Sequence, residues 1–276
     1  SFITCGFIHL NADLCRVMIR RSKNMHAMKK ALVRRLAPGL AALLAAPLAQ
    51  ADGFERISIP APGLTIDAAI YRPDGPGPFP AVIALHGCGG LWNTSGRPSA
   101  RHADWGERLA GQGFLVVLPD SFSSRGLGSQ CGVSDRTVRV GDAYAVKAWL
   151  QQRADVKPRS VSLLGWSNGA STVLTAMRSD KAAKDGLPDF AAAIAFYPGC
   201  RGSYESASYR LRLPMTILMG ADDDWTPPGP CEGLVTAARA RSEPMNIVLY
   251  PGAVHDFDHP EARADALVRV PQLLAR

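Results

Sequence analysis

Apolar runs of strand length alternate with helix-like segments along most of this chain. The six apolar runs cover residues 81–85, 114–118, 160–164, 191–196, 215–219 and 246–250. The five helix-like segments cover residues 103–112, 139–152, 168–179, 229–240 and 262–274. This alternation is typical of a parallel sheet that is covered on both faces. We therefore predict an α/β fold with a mostly parallel central sheet and helices on both faces.

The segment before the first apolar run predicts a different kind of strand. Residues 54–71 suit one or two antiparallel strands at an edge of the sheet, and the Pro/Gly-rich residues 73–80 suit a turn. The sequence shows no internal repeat and no long linker. With 276 residues, of which 47% are hydrophobic, the chain is long enough for one full core. We predict a single α/β domain over residues 52–276.

The formal net charge of +7 raises the question of a nucleic-acid or membrane partner. Residues 1–51 carry eight Lys or Arg and one Asp, which accounts for the whole excess. The remaining 23 basic and 23 acidic side chains cancel. Bulk charge therefore predicts no nucleic-acid-binding surface on the domain.

Residues 28–51 have the organisation of a signal peptide. Two lysines follow Met28, an apolar stretch covers residues 36–48, and a small-x-small sequence ends at Ala51. The alternative is a membrane anchor, but the stretch is short of the roughly 20 residues that span a bilayer and contains two prolines. We expect a cleaved signal and a periplasmic or secreted protein without a stable membrane span. Residues 1–27 are interpreted as upstream sequence outside the fold.

The cysteine count fits an exported protein. Two of the six cysteines lie within residues 1–27, which leaves Cys88, Cys131, Cys200 and Cys231. Four cysteines allow two disulfides in three connectivities, and the alternative is four unpaired thiols. Cys200 and Cys231 follow successive strand-like runs, so we predict that they pair and that Cys88 pairs with Cys131. The absence of CxxC spacing from the sequence argues against a zinc site.

The clearest chemical signal is a glycine-flanked serine between a strand and a helix. The apolar run over residues 160–164 leads into Gly165-Trp166-Ser167-Asn168-Gly169 and then into a helix-like segment. In a nucleophile elbow the turn is so tight that the second residue on each side of the serine must be small. The alternative is a plain strand-to-helix turn that uses glycines. We predict that Ser167 is a nucleophile.

A base and an acid follow later strands in the order that a triad of this type requires. His255 comes shortly after the last strand-like run, whereas His86 and His102 precede the acid. The acid comes from three consecutive aspartates at positions 222–224. Only one carboxylate is needed to orient the imidazole, and the spacing alone leaves the three open.

From about residue 60 to the C-terminus, the chain resembles the dienelactone hydrolase family of α/β-hydrolases. The matching segments are His86-Gly-Cys-Gly-Gly90, Asp120-Ser-Phe-Ser-Ser-Arg-Gly126, the elbow at Ser167, the GxxDxxxP segment that ends at Pro227, and the loop around His255. The resemblance selects Asp223 as the acid. It also implies an oxyanion hole formed by the backbone N–H groups of Cys88 and Asn168.

Two departures from the family pattern bear on the substrate. The founding dienelactone hydrolases have a cysteine nucleophile and an acidic residue after the first parallel strand, where this chain has Ser167 and Gly87. The resemblance therefore implies a serine hydrolase that cleaves carboxylic esters or lactones through an acyl-enzyme, without a metal or organic cofactor. The alternatives are a prolyl-peptidase-like peptide hydrolase and a non-catalytic binding protein that retains the fold.

Three further side chains are candidates for contacts with a small-molecule substrate. Arg125 offers a bidentate fork for a carboxylate, and the alternative is an ion pair with Asp120 or Asp135. Trp92 and Trp225 flank the predicted catalytic loops and suit an apolar pocket wall, with core packing as the competing interpretation. For Trp166, in the elbow itself, we predict core packing.

Overall fold

The computed structural model describes residues 53–132, 136–181, 186–257 and 260–275, all of which belong to one compact unit. The predicted signal peptide over residues 28–51 and the upstream residues 1–27 lie outside the described residues. The same is true of Asp135. No helix in the described part of the chain is long and apolar enough to cross a bilayer.

In the described ranges, eight strands form one sheet in the order β1-β2-β4-β3-β5-β6-β7-β8. The strands are β1 (Glu55–Ala61), β2 (Leu64–Tyr71), β3 (Phe79–Leu85), β4 (Leu115–Pro119), β5 (Val156–Trp166), β6 (Ala193–Phe196), β7 (Met215–Gly220) and β8 (Met245–Tyr250). β1 and β2 form an antiparallel hairpin, and β2 is also antiparallel to β4. All other neighbours are parallel. The predicted antiparallel edge therefore consists of two strands.

Among the described residues, six α-helices flank the sheet: α1 (Ala100–Ala110), α2 (Thr137–Gln151), α3 (Asn168–Ala176), α4 (Arg201–Tyr204), α5 (Gly229–Ala240) and α6 (Pro260–Leu274). Apolar side chains of α2, α3 and α5 join one buried cluster, and those of α1 and α6 join another. Ile83 of β3 belongs to the first cluster and Val82 to the second, because successive strand residues face opposite sides. Both faces of the sheet are covered, so the predicted fold class is confirmed.

Among the element boundaries that differ from the sequence prediction by a few residues, two have an identifiable reason. β5 begins four residues early because Val156 pairs with Phe79 before a shift of register, which the exposed residues between 156 and 160 conceal in the sequence. α6 begins at Pro260, since the fixed φ of proline suits the first turn of a helix. Neither difference changes the topology.

The order of the strands reverses at β3, which has β4 on one side and β5 on the other. The loops after β3 and β5 leave the sheet at the same edge, because the two strands are parallel. In open α/β sheets, ligands bind in the crevice at such a switch point. The elbow at Ser167 lies at this position.

Candidate active site

Ser167 lies in a turn whose backbone conformation is strained. Its φ of 51° and ψ of −111° lie outside the regions that residues with a side chain ordinarily occupy. A Cβ on Gly165 would lie 2.5 Å from the carbonyl of Gly169, and a Cβ on Gly169 would overlap the carbonyl oxygen of Leu85. Both elbow glycines are therefore required by space. The strain is held between the end of β5 and the start of α3.

His255 reaches Ser167 from the loop after β8. Its Nε2 lies 3.1 Å from Ser167 Oγ, a hydrogen-bond distance. The imidazole is almost fully buried, and the rings of Tyr197 and Trp225 lie 4.6 and 5.0 Å from its centroid. The contact brings the predicted base and nucleophile together although 88 residues separate them in sequence.

Of the three consecutive aspartates, Asp223 alone is buried, and it contacts the histidine. Its Oδ2 lies 2.8 Å from His255 Nδ1. Its Oδ1 accepts hydrogen bonds from the backbone N–H groups of Trp225 and Thr226, at 3.0 and 2.7 Å. Asp222 and Asp224 are exposed. The geometry thus singles out the aspartate that the family resemblance selected.

Thr226 is a member of the site that sequence reasoning missed. Its hydroxyl donates to Asp223 Oδ2 at 2.9 Å and lies 3.2 Å from His255 Nδ1. Threonine three residues after an aspartate is a common turn arrangement, so the spacing offers a signal, but one shared with many structural turns. Thr226 supports the carboxylate at the side that faces the imidazole.

Ser167 and His255 open onto a cleft of about 300 Å³ at the switch point. Its other lining residues are Gly87, Cys88, Gly89, Gly90, Trp92, Ser99, Arg101, His102, Cys131, Trp225 and Asp256. Trp92 and Trp225 thus both border the cleft, and the Trp225 side chain is 62% exposed. Trp166 is buried in the core and stacks on Phe196, as predicted. The volume lies at the lower end of the range for small-molecule pockets.

The four cysteines in the described part of the chain form two disulfides, Cys88–Cys131 and Cys200–Cys231. The first joins two loops that line the cleft, and Gln130 N–H donates to the Cys88 carbonyl beside it at 2.9 Å. The second joins α5 to the segment after β6. Among the described residues that line the cleft are Cys88 and Cys131, but not Cys200 or Cys231. The Cys88–Cys131 bond therefore tethers one wall of the site.

The predicted oxyanion residues lie at the switch point, one in a loop and one at the start of a helix. Asn168 is the first residue of α3, and Cys88 lies in the loop after β3. His86, at the start of that loop, is fully buried, and its Nδ1 lies 2.7 Å from the Gly87 carbonyl oxygen. Burial and the nearby Arg139 lower the pKa of His86 below its ordinary value, and hydrogen bonding to Asp120 and Gly87 opposes them. His86 therefore forms part of the neutral support beneath the cleft.

The structure corrects the prediction that Arg125 binds a substrate carboxylate. Its guanidinium forms a two-point ion pair with Asp142, at 2.7 and 3.0 Å, and donates to the carbonyl of Ser121. Arg125 is not among the described residues that line the cleft. The observed partner, Asp142, lies on α2 and is not the Asp120 named from the sequence, while Asp135 lies outside the described residues.

The model of the dienelactone hydrolase family matches residues 66–270. A similar solved structure is a putative dienelactone hydrolase from Klebsiella pneumoniae subsp. pneumoniae (TM-score 0.64, 24% identity), covering 81% of this chain and 98% of that one. Another is Thermogutta terrifontis esterase 2 phosphoramylated by tabun, with a TM-score of 0.64 and 22% identity; the match covers 81% of this chain and 94% of that one. Dipeptidyl peptidase 4 of Porphyromonas gingivalis is also similar, with a TM-score of 0.64 and 20% identity; the match covers 80% of this chain and 35% of that one. These likenesses show the α/β-hydrolase fold. No curated protein matched the chain.

Proposed function

This chain belongs to the dienelactone hydrolase family, and from that premise we propose that it is a serine hydrolase of carboxylic esters or lactones. The observation that carries the proposal is the continuous set of contacts from Ser167 Oγ to His255 Nε2 and from His255 Nδ1 to Asp223 Oδ2, at 3.1 and 2.8 Å. Nucleophile, base and orienting acid in this geometry are what acyl transfer requires.

In the proposed acylation step, Ser167 Oγ attacks the carbonyl carbon while His255 Nε2 takes the hydroxyl proton. The tetrahedral intermediate collapses, the protonated His255 gives its proton to the leaving alkoxide, and the acyl group stays on Ser167. Water then attacks the acyl-enzyme by the same route and releases the acid. Asp223 holds the Nδ1–H tautomer of His255 and stabilises the imidazolium that forms twice per turnover.

Backbone N–H groups of Cys88 and Asn168 are the proposed donors to the oxyanion. Asn168 begins α3, where the helix dipole favours negative charge. Cys88 borders the cleft beside Ser167. Losing one fixed donor of this kind typically costs about 10²–10³ in rate.

The cleft suits small substrates with an apolar part. Its volume of about 300 Å³ and its borders at Trp92 and Trp225 favour a short acyl or aryl ester, or a lactone. The serine nucleophile and Gly87, in place of the cysteine and acidic residue of the founding members, favour general ester hydrolysis over dienelactone cleavage.

We further propose that the mature protein is a single catalytic domain over residues 52–276, exported to the periplasm or secreted. Two disulfides persist most readily in an oxidising compartment. The signal-peptide pattern over residues 28–51 supports the same location. The N-terminal sequence of the protein recovered after export tests both: it should begin near Asp52.

The proposal is tested by the hydrolysis of p-nitrophenyl acetate, p-nitrophenyl butyrate and a small lactone. Ser167→Ala should reduce turnover to background, whereas Ser208→Ala, a change at an exposed serine, should leave it intact. The structurally similar T. terrifontis esterase 2 is phosphorylated by paraoxon, so mass spectrometry after paraoxon treatment should find the adduct on Ser167. Turnover by Ser167→Ala would contradict the mechanism, and an unlabelled, inactive protein would favour a binding module.

A further inference from the structure

Arg139 contacts both segments that carry the proposed oxyanion donors. It lies in the first turn of α2 and is 4% exposed. Its Nη1 donates to Asn168 Oδ1 at 2.6 Å, and its Nη2 donates to the carbonyl oxygen of His86 at 2.7 Å. One buried side chain therefore connects the segment after β3 to the first residue of α3.

These two segments carry the donors that the proposed mechanism assigns to the oxyanion. Cys88 is two residues beyond His86, and the Asn168 side chain that Arg139 binds belongs to the residue whose N–H is the second donor. Both N–H groups must lie within about 2.7–3.1 Å of the same developing oxygen. A planar guanidinium with fixed donor directions is well suited to hold two backbone segments at a constant separation.

His86 extends this support to the orientation of the first donor. A carbonyl oxygen only accepts, so the 2.7 Å contact between His86 Nδ1 and the Gly87 oxygen places a proton on Nδ1. The Gly87 C=O and the Cys88 N–H belong to one planar trans peptide and point in opposite directions. Because His86 Nδ1 holds the Gly87 carbonyl oxygen, the Cys88 N–H points away from the His86 ring.

Stability alone does not account for Arg139. Both hydrogen-bond acceptors found for it among the described residues are uncharged oxygens. Burying a cation without a bonded carboxylate is costly, and a positive charge in the first turn of a helix opposes the helix dipole. Burial lowers the pKa of Arg139 to about 9. The nearby carboxylates of Asp142 and Asp120, neither hydrogen-bonded to Arg139, and the Phe122 ring, 5.0 Å from the guanidinium carbon, offset part of this cost.

We propose that Arg139 is a positioning residue for the oxyanion hole, which holds the Cys88 and Asn168 N–H groups in register with each other. This inference rests on the proposed function and adds a role for a residue that touches no substrate. The predicted loss on removing Arg139 lies in the transition state, because the two donors matter most when the carbonyl oxygen becomes charged.

The test compares steady-state kinetics of Arg139→Met with the parent on p-nitrophenyl acetate. We expect kcat to fall about 10- to 100-fold with KM within about twofold, the pattern for an interaction made only in the transition state. The matched control is Arg212→Met, whose guanidinium also donates to backbone carbonyls, those of Ala176 and Arg178. That variant should lower Tm and leave kcat unchanged.

Two further variants separate the bridge from the charge and keep the test valid if Arg139→Met does not fold. Arg139→Lys retains the charge without the fork and should lose kcat nearly as strongly, so full activity would overturn the proposal. Asn168→Leu removes one acceptor and should also lower kcat. Because both act on one bridge, the double variant should be little worse than the single ones. Independent, multiplying losses would contradict a shared bridge.

Failure of this inference is distinguishable from failure of the proposed function. If the parent protein has no Ser167-dependent hydrolysis, both fall. If the parent hydrolyses esters through Ser167 and Arg139→Met and Arg139→Lys retain kcat, the serine mechanism stands and the positioning role of Arg139 is wrong.

Discussion

The hydroxyl of Thr226 donates a hydrogen bond to the Asp223 oxygen that faces His255, at 2.9 Å. Thr226→Val keeps the shape of the side chain and removes this donor. A hydrogen bond to a charged group is worth about 1.5–3 kcal/mol, so we expect kcat to fall roughly tenfold. Thr226→Ser should retain most of the activity. Equal activity of the Val and Ser variants would show that the hydroxyl does not support the carboxylate.

The three aspartates at positions 222–224 provide a test with internal controls. Asp223→Asn should lower kcat by about 10⁴, because an amide favours the wrong tautomer of His255. Asp222→Asn and Asp224→Asn alter exposed side chains and should stay within about twofold of the parent. The measurement is kcat for p-nitrophenyl acetate at neutral pH. A large loss in either control would mean that the acid has been assigned to the wrong residue.

The two disulfides should differ in their effect on catalysis. Each closes a loop, of 43 and 31 residues, and the removal of either is expected to cost about 2–4 kcal/mol of stability. Removing Cys88–Cys131 with paired alanines should also lower kcat, because that bond tethers the wall that carries the Cys88 N–H. Removing Cys200–Cys231 should lower only Tm. The check is to measure kcat and Tm for both double variants, and parallel losses of kcat would contradict the tether.

His102 should make the fold sensitive to mild acid. Burial, with smaller effects of His86, Arg101 and Arg139, lowers the pKa of His102 well below its ordinary value of 6.5. His102 therefore binds a proton near pH 6.5 in the unfolded chain, but stays unprotonated at that pH in the folded chain. The free energy of unfolding therefore falls below pH 6.5, by up to about 1.4 kcal/mol per pH unit for this group.

The measurement is urea unfolding of the parent and of His102→Gln at pH 7.5 and 5.5. Glutamine does not titrate, so the variant should lose about 1 kcal/mol less than the parent over this range. An identical loss in both proteins would mean that His102 does not carry the acid sensitivity. His86 has the same direction of shift, so part of the slope should remain in the variant.

The sequence predicted the elements of the fold, and it indicated Ser167 and His255 as candidate site residues, because both inferences depend on local patterns. An unbroken apolar run such as 215–219 predicts a strand that is buried on both faces of the sheet. The elbow around Ser167 is recognised by glycines two residues before and two residues after the serine. The contact of His255 with Ser167 was expected because both residues follow strand-like runs in the order that such a triad requires. These inferences needed no knowledge of side-chain partners.

The side chains that were missed or wrongly interpreted have partners far away in sequence. Arg125 pairs with Asp142 across 17 residues, and Arg139 binds the carbonyl of His86 across 53. A buried guanidinium in a helix is indistinguishable in sequence from one at the surface. Only the packing of α2 against the sheet decides which arginine reaches the site, and no pattern within α2 encodes it.

The backbone at position 167 is held by what surrounds it: Gly169 pressed against Leu85, and Gly165 against Gly169. The reactive atom contributes nothing to that hold. The conformation of the turn therefore does not depend on the atom at the end of the side chain, and Ser167→Cys would replace oxygen by sulfur without changing the turn. A substitution at position 167 is therefore expected to leave the turn in place, whereas any side chain at Gly165 or Gly169 would collide with the backbone that forms it.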